Sequence, residues 1–298
     1  MKKISVKINH KELFVNFWET TSGNPGGIFY IHHGMAEHID RYDSFAKHLN
    51  SIGFHVVGHN HLGHGDNKEN GEGIFAESQG WDEVCNEASN VADHFFSIYP
   101  DIPSYIFGHS MGAFITISTL KKIKNIKGIF LTGTFLPTKG QLFFLKILLF
   151  IEKKIFRINK NSKLHSINFQ KLNSVFKNPR TAFDWLAKDV NVVDKYIADS
   201  NCGFNCSNSL WLDFIHGGEI VLRDDTYFGI SKDIKIFLAG GMDDPCITEG
   251  GGIDGLYNYF SNKFNNVAIK KFEHMRHEIQ NEPSMIELLT LMESFIKE

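Results

Sequence analysis

Apolar and polar positions alternate in two segments near the start of the chain. Residues 3–8 and 12–19 carry apolar side chains at about every second position, a period typical of strands with one solvated face. They predict a hairpin whose turn is Asn9-His10-Lys11. Residues 27–32 are instead continuously apolar and are followed by His33-Gly34, which predicts a buried parallel strand.

Helical and strand-like spacing then alternates along the chain. Apolar residues three and four positions apart predict helices, and short apolar runs between them predict strands. In chain order these elements are a helix at 42–52, a strand at 54–58, a helix at 80–98, a strand at 104–107, a helix at 111–123 and a strand at 126–131. A βαβα order with short loops predicts a parallel sheet covered by helices on both faces, which is the α/β class.

The regular alternation stops after Pro137 and resumes with a buried strand at 235–239. The elements that follow are a helix at 252–264, a strand at 267–272 and a terminal helix at 284–297. The segment between the two regular parts has no buried-strand runs and is helical in character. We therefore predict one α/β core built from residues 1–137 and 226–298, with a helical insertion at 138–225.

The composition is that of a globular chain without a strong charge bias. The 298 residues are 42% hydrophobic, enough for one large domain or a domain with an insertion. A net charge of −3 gives no field that attracts nucleic acid, so no nucleic-acid partner is expected. Residues 1–15 alternate like a strand and lack the apolar core of a secretory signal. We therefore expect a cytoplasmic protein, either free or peripheral to a membrane.

The chain has four cysteines, at Cys85, Cys202, Cys206 and Cys246. Without an export signal, free buried thiols are favoured over disulfides. Cys202 and Cys206 have no second Cys or His pair close in sequence to complete a zinc site, so we expect no metal at this pair.

The segment HNHLGHGD at residues 59–66 is the strongest candidate for a metal site. Its His59, His61 and His64 come close to the H-x-H-x-D-H ligand run of metallo-hydrolases, in which bound metal activates water. Gly63 stands where that run has an aspartate ligand. We interpret the segment as a structural loop and expect no metal there.

A second candidate for catalysis is a serine flanked by glycines. Gly108-His109-Ser110-Met111-Gly112 follows a predicted buried strand and opens a predicted helix, which is the context of a nucleophile elbow. The serine of such an elbow lies in a strained turn, so a side chain at either flanking glycine would clash. The helix N-terminus offers backbone N–H groups to a developing oxyanion. Ser110 is therefore the candidate nucleophile.

A serine hydroxyl needs a histidine to take its proton and an acid to orient that histidine. In this type of fold the chain order is Ser, Asp, His. Asp243 and Asp244 follow the next-to-last predicted strand, and His274 and His277 follow the last one. Position along the chain leaves both choices open.

Several motifs resemble the α/β-hydrolase superfamily, and within it the monoacylglycerol lipase and lysophospholipase-like serine hydrolases, which are often grouped with the serine aminopeptidases. They are H-G-M-A-E-H at 33–38 with Arg41-Tyr42, G-H-S-M-G at 108–112, G-x-x-D-P at 241–245, M-R-H-E at 275–278, D-W-L at 184–186 and the segment 194–204. The resemblance covers nearly the whole chain. The family loop H-D-x-x-G-H-G-x-S differs here, because Asn60 stands where Asp is usual and Asp66-Asn67 stands near the usual serine.

The resemblance implies a role for each matching residue. It selects Asp244 as the acid and His277 as the base, and so implies a Ser110-His277-Asp244 triad. It places the oxyanion hole at the backbone N–H groups of Met35 and Met111. Supporting positions are His33, Gly34, Gly108, His109 and Gly112. It also implies that Glu37 is an internal partner of Arg41.

The most apolar stretch of the chain is 140–157, which is too short to span a bilayer. One interpretation is a cap helix that covers an acyl pocket and touches a lipid surface with its apolar face. In that case basic side chains would meet anionic headgroups: Lys146, Lys153, Lys154, Arg157, Lys160 and Lys163. The alternative is a core-facing helix whose basic residues are simply solvated.

Taken together, the motifs predict a serine carboxylic-ester hydrolase acting on single-chain acyl esters such as monoacylglycerols or lysophospholipids. No metal or organic cofactor is expected. A serine aminopeptidase or a thioesterase would use the same machinery, and an apolar insertion favours an acyl substrate over a peptide. A non-catalytic binding module on the same fold is disfavoured, because every member of the triad is present.

Overall fold

A computed structural model describes residues 1–8, 11–157 and 159–298. Strand β1 (Lys2–Ile8) pairs antiparallel with β2 (Lys11–Trp18), from Lys2 opposite Phe17 to Ile8 opposite Lys11. The pairing of the two predicted hairpin strands is confirmed. Asn9 and His10 of the predicted turn lie outside the described residues.

The described strands form one eight-stranded sheet. The remaining strands are β3 (Gly27–His32), β4 (Phe54–His59), β5 (Ser104–His109), β6 (Ile126–Thr132), β7 (Lys235–Gly241) and β8 (Asn266–Phe272). Their spatial order is β1-β2-β4-β3-β5-β6-β7-β8. The β1–β2 and β2–β4 pairs are antiparallel, and all others are parallel. A mostly parallel sheet is therefore confirmed.

Helices follow the strands and fill the interval between β6 and β7. They are α1 (Asp43–Ser51), α2 (Gly80–Ile98), α3 (Met111–Thr119), α4 (Lys139–Lys154), α5 (Lys163–Ser174), α6 (Val190–Ala198), α7 (Asn208–Val221), α8 (Gly252–Ser261) and α9 (Met285–Lys297). Short 3₁₀ helices lie at Ile39–Tyr42, Asp224–Tyr227, Pro245–Thr248 and Ile279–Asn281. Within the described ranges, no helix has the length and apolar character needed to cross a membrane.

Two helices end earlier than their apolar spacing predicts. Helix α3 was expected to reach residue 123 and ends at Thr119, where the N–H of Lys122 bonds to the Thr119 carbonyl at 2.8 Å. Helix α8 was expected to reach residue 264 and ends at Ser261. In both cases the last turn tightens, a common way to satisfy terminal carbonyls, while the following apolar residues still pack on the core.

Alternation along the buried strands separates the core into two layers. On β3, Ile28 and Tyr30 pack in the layer under α2, α3 and α8, while Phe29 and Ile31 pack in the layer under α1 and α9. Successive side chains of a strand point to opposite faces, so a strand buried on both sides must be apolar throughout. Helices on both faces, as predicted, are confirmed.

The topology also brings the candidate residues together. Each candidate segment lies at or just after the end of one parallel strand. In chain order, the segments are 33–38 at β3, 59–66 at β4, 108–112 at β5, 241–245 at β7 and 275–278 at β8. The carboxyl ends of parallel strands lie at one edge of a sheet, where sites collect in open α/β folds.

Candidate active site

Ser110 lies in a sharp turn between β5 and α3. Its backbone angles are φ 53° and ψ −119°, a conformation that L-residues rarely adopt. A Cβ atom on Gly108 would lie 2.4 Å from Thr116 Oγ1, and one on Gly112 would lie 2.1 Å from the His32 carbonyl oxygen. Both positions therefore exclude any side chain. The strand–turn–helix context that the sequence predicts for Ser110 is confirmed.

Neighbouring strand β6 supports this turn. The N–H of Ser110 donates to the Thr132 carbonyl at 2.9 Å, and His109 Nδ1 lies 2.9 Å from Thr132 Oγ1. A Cβ atom on Gly133 would lie 2.8 Å from the His277 ring and 2.9 Å from the His109 ring. The absence of a side chain at Gly133 lets the two imidazoles approach each other, with ring centroids 4.6 Å apart.

The turns after β7 and β8 bring one acid and one histidine together. His277 Nδ1 lies 2.9 Å from Asp244 Oδ2, and Asp244 Oδ1 accepts a 2.8 Å hydrogen bond from the N–H of Cys246. Asp244 and His277 are buried, whereas Asp243 and His274 are exposed. The geometry therefore pairs Asp244 with His277, the two residues that the family resemblance selects.

Backbone contacts fix the register of these two turns. The N–H of Asp243 donates to the Met275 carbonyl at 2.9 Å, and a Cβ atom on Gly241 would lie 2.1 Å from that same oxygen. Only glycine lets the chain after β7 pass so close to the chain after β8. This approach directs Asp244 inward and leaves Asp243 in solvent.

His277 has an environment that favours its charged form. Burial lowers its pKa, but the charge and hydrogen bond of Asp244 outweigh burial and raise the pKa well above 6.5. The Trp185 ring lies 4.8 Å from the imidazole, centroid to centroid. Sequence reasoning missed Cys246 as a neighbour, although it stands only two positions after Asp244.

The Gly34–Glu37 turn faces Ser110 from the end of β3. Glu37 Oε1 accepts the N–H of Gly34 at 2.6 Å, and Ala36 has a left-handed φ of 56°. The Ala36 carbonyl accepts hydrogen bonds from Tyr196 Oη at 2.8 Å and from the N–H of Gly203 at 2.9 Å. Met35 lies within this turn, and Met111 is the first residue of α3, where no intrahelical acceptor is available for its N–H.

The histidine loop at 59–66 supports that turn. His64 Nε2 accepts the N–H of Ala36 at 3.2 Å, and His33 Nε2 accepts the N–H of His61 at 3.0 Å. Asn60 Oδ1 accepts the N–H of Ile39 at 2.9 Å. Two groups of three potential metal ligands occur among the described residues, and neither contains a histidine of this loop. These contacts fit the structural role predicted for the loop.

A buried ion-pair network joins the turns around the site. Arg41 bonds to both oxygens of Glu278, at 2.7 and 2.6 Å, and also contacts Glu37. Tyr42 Oη donates to Glu37 at 2.8 Å. The predicted pairing of Glu37 with Arg41 is confirmed. Because Glu278 follows His277 directly, one guanidinium links the turn after β3 to the turn after β8.

Ser110 and His277 open into one cavity of about 880 Å³, part of it open to solvent; we call it the central cavity. Met35, Met111, Gly34 and His109 also line it. Its remaining walls are mainly apolar: Phe114, Phe135, Leu145, Phe169, Leu172, Trp185, Leu186, Trp211 and Phe214. Most of these side chains come from the helices and loops between β6 and β7, so that segment forms the wall opposite the sheet.

Three carboxylates line the central cavity, and each already has a cationic partner. Glu37 and Glu278 share Arg41, and Glu249 pairs with Lys171 at 2.5 Å. Among the described residues that line the cavity, none is a lysine or an arginine. The cavity therefore offers an apolar surface with a polar end at Ser110 and His277.

The buried histidines make the fold sensitive to acid, and we predict a loss of stability as the pH falls. Burial lowers the pKa of several imidazoles, to about 3 in His32 and about 4 in His64. Others with a lowered pKa are His33, His61, His109 and His165. They stay neutral in the folded state but bind protons in the unfolded chain below about pH 6.5, so each removes about 1.4 kcal/mol per pH unit.

Two histidines have the opposite effect on the pH dependence of stability. The pKa values of His38 and His277 are raised, so their contribution is complete below about pH 6.5 and is lost as the pH rises through the raised values. The raised pKa values of Asp213 and Glu282 act in the same way as these two. The histidines with a lowered pKa are more numerous, so the free energy of unfolding should fall as the pH falls. Urea unfolding at about pH 7.5, 6.5 and 5.5 should give a free energy of unfolding that falls from the first pH to the last. The control is His94→Gln, which changes an exposed histidine on α2 and should show the same dependence of the free energy on pH. A free energy that does not change with pH would contradict this account.

Comparison with known proteins agrees with the fold and with the predicted family. A carboxyl esterase from Bacillus coagulans superposes with a TM-score of 0.81 at 21% identity, over 99% of this chain and 98% of that one. A monoglyceride lipase from Saccharomyces cerevisiae superposes with a TM-score of 0.74 at 16% identity, over 99% and 94%. At these identities the likeness establishes the fold alone. The molecule has the α/β-hydrolase fold that the motifs predict.

The family model described as "Serine aminopeptidase, S33" matches residues 23–284, and the chain belongs to this family. A "Monoglyceride lipase homolog" of Monkeypox virus is 33% identical over 113 residues, which are 37% of this chain and 38% of that protein. "Monoglyceride lipase" of Mus musculus is 32% identical over 112 residues, 38% of this chain and 35% of that protein. The chain thus matches little more than a third of the length of these curated relatives. The predicted resemblance to monoacylglycerol lipases is confirmed.

Proposed function

We propose that the protein is a serine carboxylic-ester hydrolase that acts on single-chain acyl esters. The observation that carries this proposal is the 2.9 Å contact between Asp244 and His277, at the polar end of an apolar cavity that Ser110 also lines. An apolar cavity with a few convergent polar groups is the usual form of a small-molecule site. A hydroxyl, an imidazole and a buried carboxylate are the groups that acyl transfer through serine requires.

In the proposed reaction, Ser110 Oγ bonds to the ester carbonyl carbon while its proton passes to Nε2 of His277. Asp244 accepts the Nδ1 proton of His277, which orients the ring and stabilises its charged form. The carbonyl electron pair moves to oxygen, where the N–H groups of Met35 and Met111 stabilise it by about 3 kcal/mol per donor. The ester C–O bond then breaks, His277 gives its proton to the leaving alcohol, and water repeats the sequence to release the acid.

The lining of the cavity favours an acyl ester over a peptide. A free amino terminus would need an unpaired carboxylate, and Glu37, Glu249 and Glu278 are each already bound to Arg or Lys. An acyl chain needs apolar surface, which the walls of the central cavity supply. Although the family carries the name of an aminopeptidase, the relatives named monoglyceride lipase agree better with this lining.

Hydrolysis of a series of 4-nitrophenyl acyl esters, from acetyl to palmitoyl, tests the proposal when run with and without EDTA. We expect kcat/KM to rise toward medium or long chains, by up to about tenfold for every two methylenes buried. We expect the same rates in EDTA, because no metal takes part in the proposed steps. A preference for acetyl esters would contradict the acyl-chain assignment, and loss of activity in EDTA by a protein that keeps its melting temperature would contradict the serine mechanism.

The raised pKa of His277 predicts an alkaline pH profile for hydrolysis. The imidazole must be neutral to take the serine proton, so kcat/KM should fall about tenfold per pH unit below that raised pKa. Measured between about pH 5 and 9, the profile should have its acidic midpoint above 6.5, the ordinary value for histidine. A midpoint at or below about pH 6 would contradict the proposed pairing with Asp244.

We further propose that residues 138–225 form a cap over the acyl cavity and that α4 contacts a lipid surface. Large apolar side chains of α4 and the residues after it are exposed, which is unusual unless they meet a partner. They are Phe143 (67%), Phe144 (59%), Phe150 (61%), Ile155 (67%) and Phe156 (62%). Exposed basic residues lie beside them, as an anionic surface would require: Lys153, Lys154, Arg157, Lys160 and Lys163. Lys146, unlike these basic residues, forms a salt bridge with Glu219.

Replacing Phe143, Phe144 and Phe150 together with serine is expected to weaken binding to vesicles that contain anionic lipid. The three side chains should bury apolar surface at the interface, and losing even part of it should weaken binding at least about tenfold. Co-sedimentation with vesicles measures this directly. Phe14→Ser removes another exposed aromatic residue, from β2, and should bind like the unaltered protein. Equal binding by both variants would contradict lipid contact through α4.

A further inference from the structure

Three potential metal ligands meet at a place that the proposed reaction does not use. His38 Nε2 lies 2.8 Å from Asp199 Oδ2, and the Cys202 thiol lies close to both groups. One ligand atom from each residue falls within 4.8 Å of the other two. His38 follows the Gly34–Glu37 turn, and Asp199 and Cys202 follow α6. Ligands at about 2.0–2.3 Å from a tetrahedral zinc ion lie about 3.3–3.7 Å from one another, so His38 Nε2 and Asp199 Oδ2 would move apart by about 0.5 Å to admit the ion.

The chemistry of the three donors is selective. A thiolate, an imidazole and a carboxylate together suit Zn²⁺ and Co²⁺, whereas Mg²⁺ and Ca²⁺ prefer oxygen ligands alone. His38 is buried, while Asp199 and Cys202 are partly exposed. Two ligands at the surface give an ion a path to the site and leave a coordination position for water.

A second carboxylate lies behind the histidine. Asp40 Oδ2 lies 3.7 Å from Nδ1 of His38, on the side of the ring away from Asp199. Metal-binding histidines commonly donate their second N–H to such a carboxylate, which fixes the tautomer and the ring orientation. Asp40 also contacts Asn16, so its position is set by strand β2. At 3.7 Å Asp40 Oδ2 and His38 Nδ1 are at ion-pair distance, so Asp40 would have to move slightly toward Nδ1 to accept its hydrogen bond.

Nearby charges permit a divalent cation. Arg41 lies among the charged neighbours of Cys202, and Glu37 and Glu278 both bind it. Asp40 and Asp199 add two further negative charges near His38. Together the acids outnumber the guanidinium, so a divalent ion at Cys202 would meet net negative charge.

We propose that His38, Asp199 and Cys202 bind one divalent ion of the zinc class, with water completing a tetrahedral site. On binding, the thiol proton of Cys202 leaves to solvent, and the imidazole proton of His38 moves to Nδ1, where it faces Asp40. The hydrogen bond from His38 to Asp199 is replaced by two metal–ligand bonds. Gly203, next to Cys202, donates its N–H to Ala36, so the ion would join the segment after α6 to the Gly34–Glu37 turn. Its role is structural, and hydrolysis does not pass through it.

Titration of the metal-free protein with Co²⁺ alone tests the site, because a cobalt–thiolate bond gives a charge-transfer absorption that no other ligand here can give. We expect this band to saturate at one equivalent of Co²⁺ and to be displaced by Zn²⁺. Cys202→Ser should abolish the band. Asp199→Asn and Asp40→Asn should keep a band but weaken binding by about 10–100-fold, as loss of a ligand charge or of an outer-shell acid does elsewhere.

Cys246→Ser is the matched control, because Cys246 belongs to the second group of potential ligands, with Asp244 and His277. This variant should keep the full cobalt band. Loss of the band in Cys246→Ser but not in Cys202→Ser would place the metal at the proposed catalytic residues and overturn the proposal. A titration of the unaltered protein with no thiolate band would also overturn it. None of these readouts depends on ester hydrolysis, so the result is independent of the proposed function.

Discussion

Replacing Ser110 with alanine is expected to abolish ester hydrolysis, with a fall in kcat of about 10⁶-fold as in comparable triads. The variant loses the only protein atom that bonds to the acyl carbon in the proposed reaction, and water held by the remaining groups is a poor substitute. The apolar walls of the central cavity stay intact, so binding of an acyl ester should change far less than turnover. Initial rates with a medium-chain 4-nitrophenyl ester measure the loss.

The matched control for this change is Ser97→Ala. Ser97 is exposed near the end of α2, where its hydroxyl donates only to the His94 carbonyl of its own helix. This variant should keep full activity. The melting temperature of Ser110→Ala should be compared in parallel, because Ser110 has a strained φ of 53° that alanine must also adopt. A folded Ser110→Ala protein that retains a tenth of the activity would contradict the nucleophile assignment.

Asp244→Asn is expected to lower kcat by about 10⁴-fold. An amide at this position would present an N–H to Nδ1 of His277 and hold the imidazole in the wrong tautomer for taking the serine proton. It would also remove the charge that raises the pKa of His277. The shape of the side chain is unchanged, so the fold and the contact with the N–H of Cys246 should persist.

Asp243→Asn makes the same chemical change one position earlier and is the internal comparison. Asp243 is exposed, and its backbone N–H, which the substitution keeps, is the group that binds Met275. We expect activity within about twofold of the unaltered protein, since surface changes have small effects. Equal losses for the two variants would contradict the assignment of Asp244 as the acid.

Local sequence was enough to predict the sheet and the serine turn. Buried strands such as 27–32 are apolar at every position, and glycine is required at Gly108 and Gly112 because a Cβ atom there would overlap backbone or side-chain atoms. These constraints act within a few residues of the chain. They are therefore readable from the order of residues alone.

The choice between Asp243 and Asp244 required the tertiary structure. Both follow the same strand, and their residue type is the same. The difference arises because Gly241 passes close to the Met275 carbonyl, a contact between residues far apart in sequence, and this contact turns Asp244 inward. Family resemblance selected Asp244, which is the one of the two that lies against His277 in the structure.

The histidine loop and α4 show two further limits of sequence reasoning. His59, His61 and His64 resemble a ligand run by spacing alone, whereas in the fold the N–H of His61 donates to His33 and His64 accepts the N–H of Ala36, both in another loop. Helix α4 is apolar around most of its circumference, so periodicity cannot tell which side is covered. The cluster of His38, Asp199 and Cys202 could not be found by spacing either, because His38 stands about 160 residues before the other two.

The most direct test of the central claim is mass spectrometry of the intact protein after reaction with an alkyl fluorophosphonate, followed by peptide mapping. We predict one adduct per chain, located on Ser110, absent from Ser110→Ala and formed much more slowly by Asp244→Asn. An octyl reagent should react faster than an ethyl reagent, because the central cavity is lined by apolar side chains. No adduct, or an adduct on any residue other than Ser110, would contradict the proposal that this chain is a serine hydrolase of acyl esters.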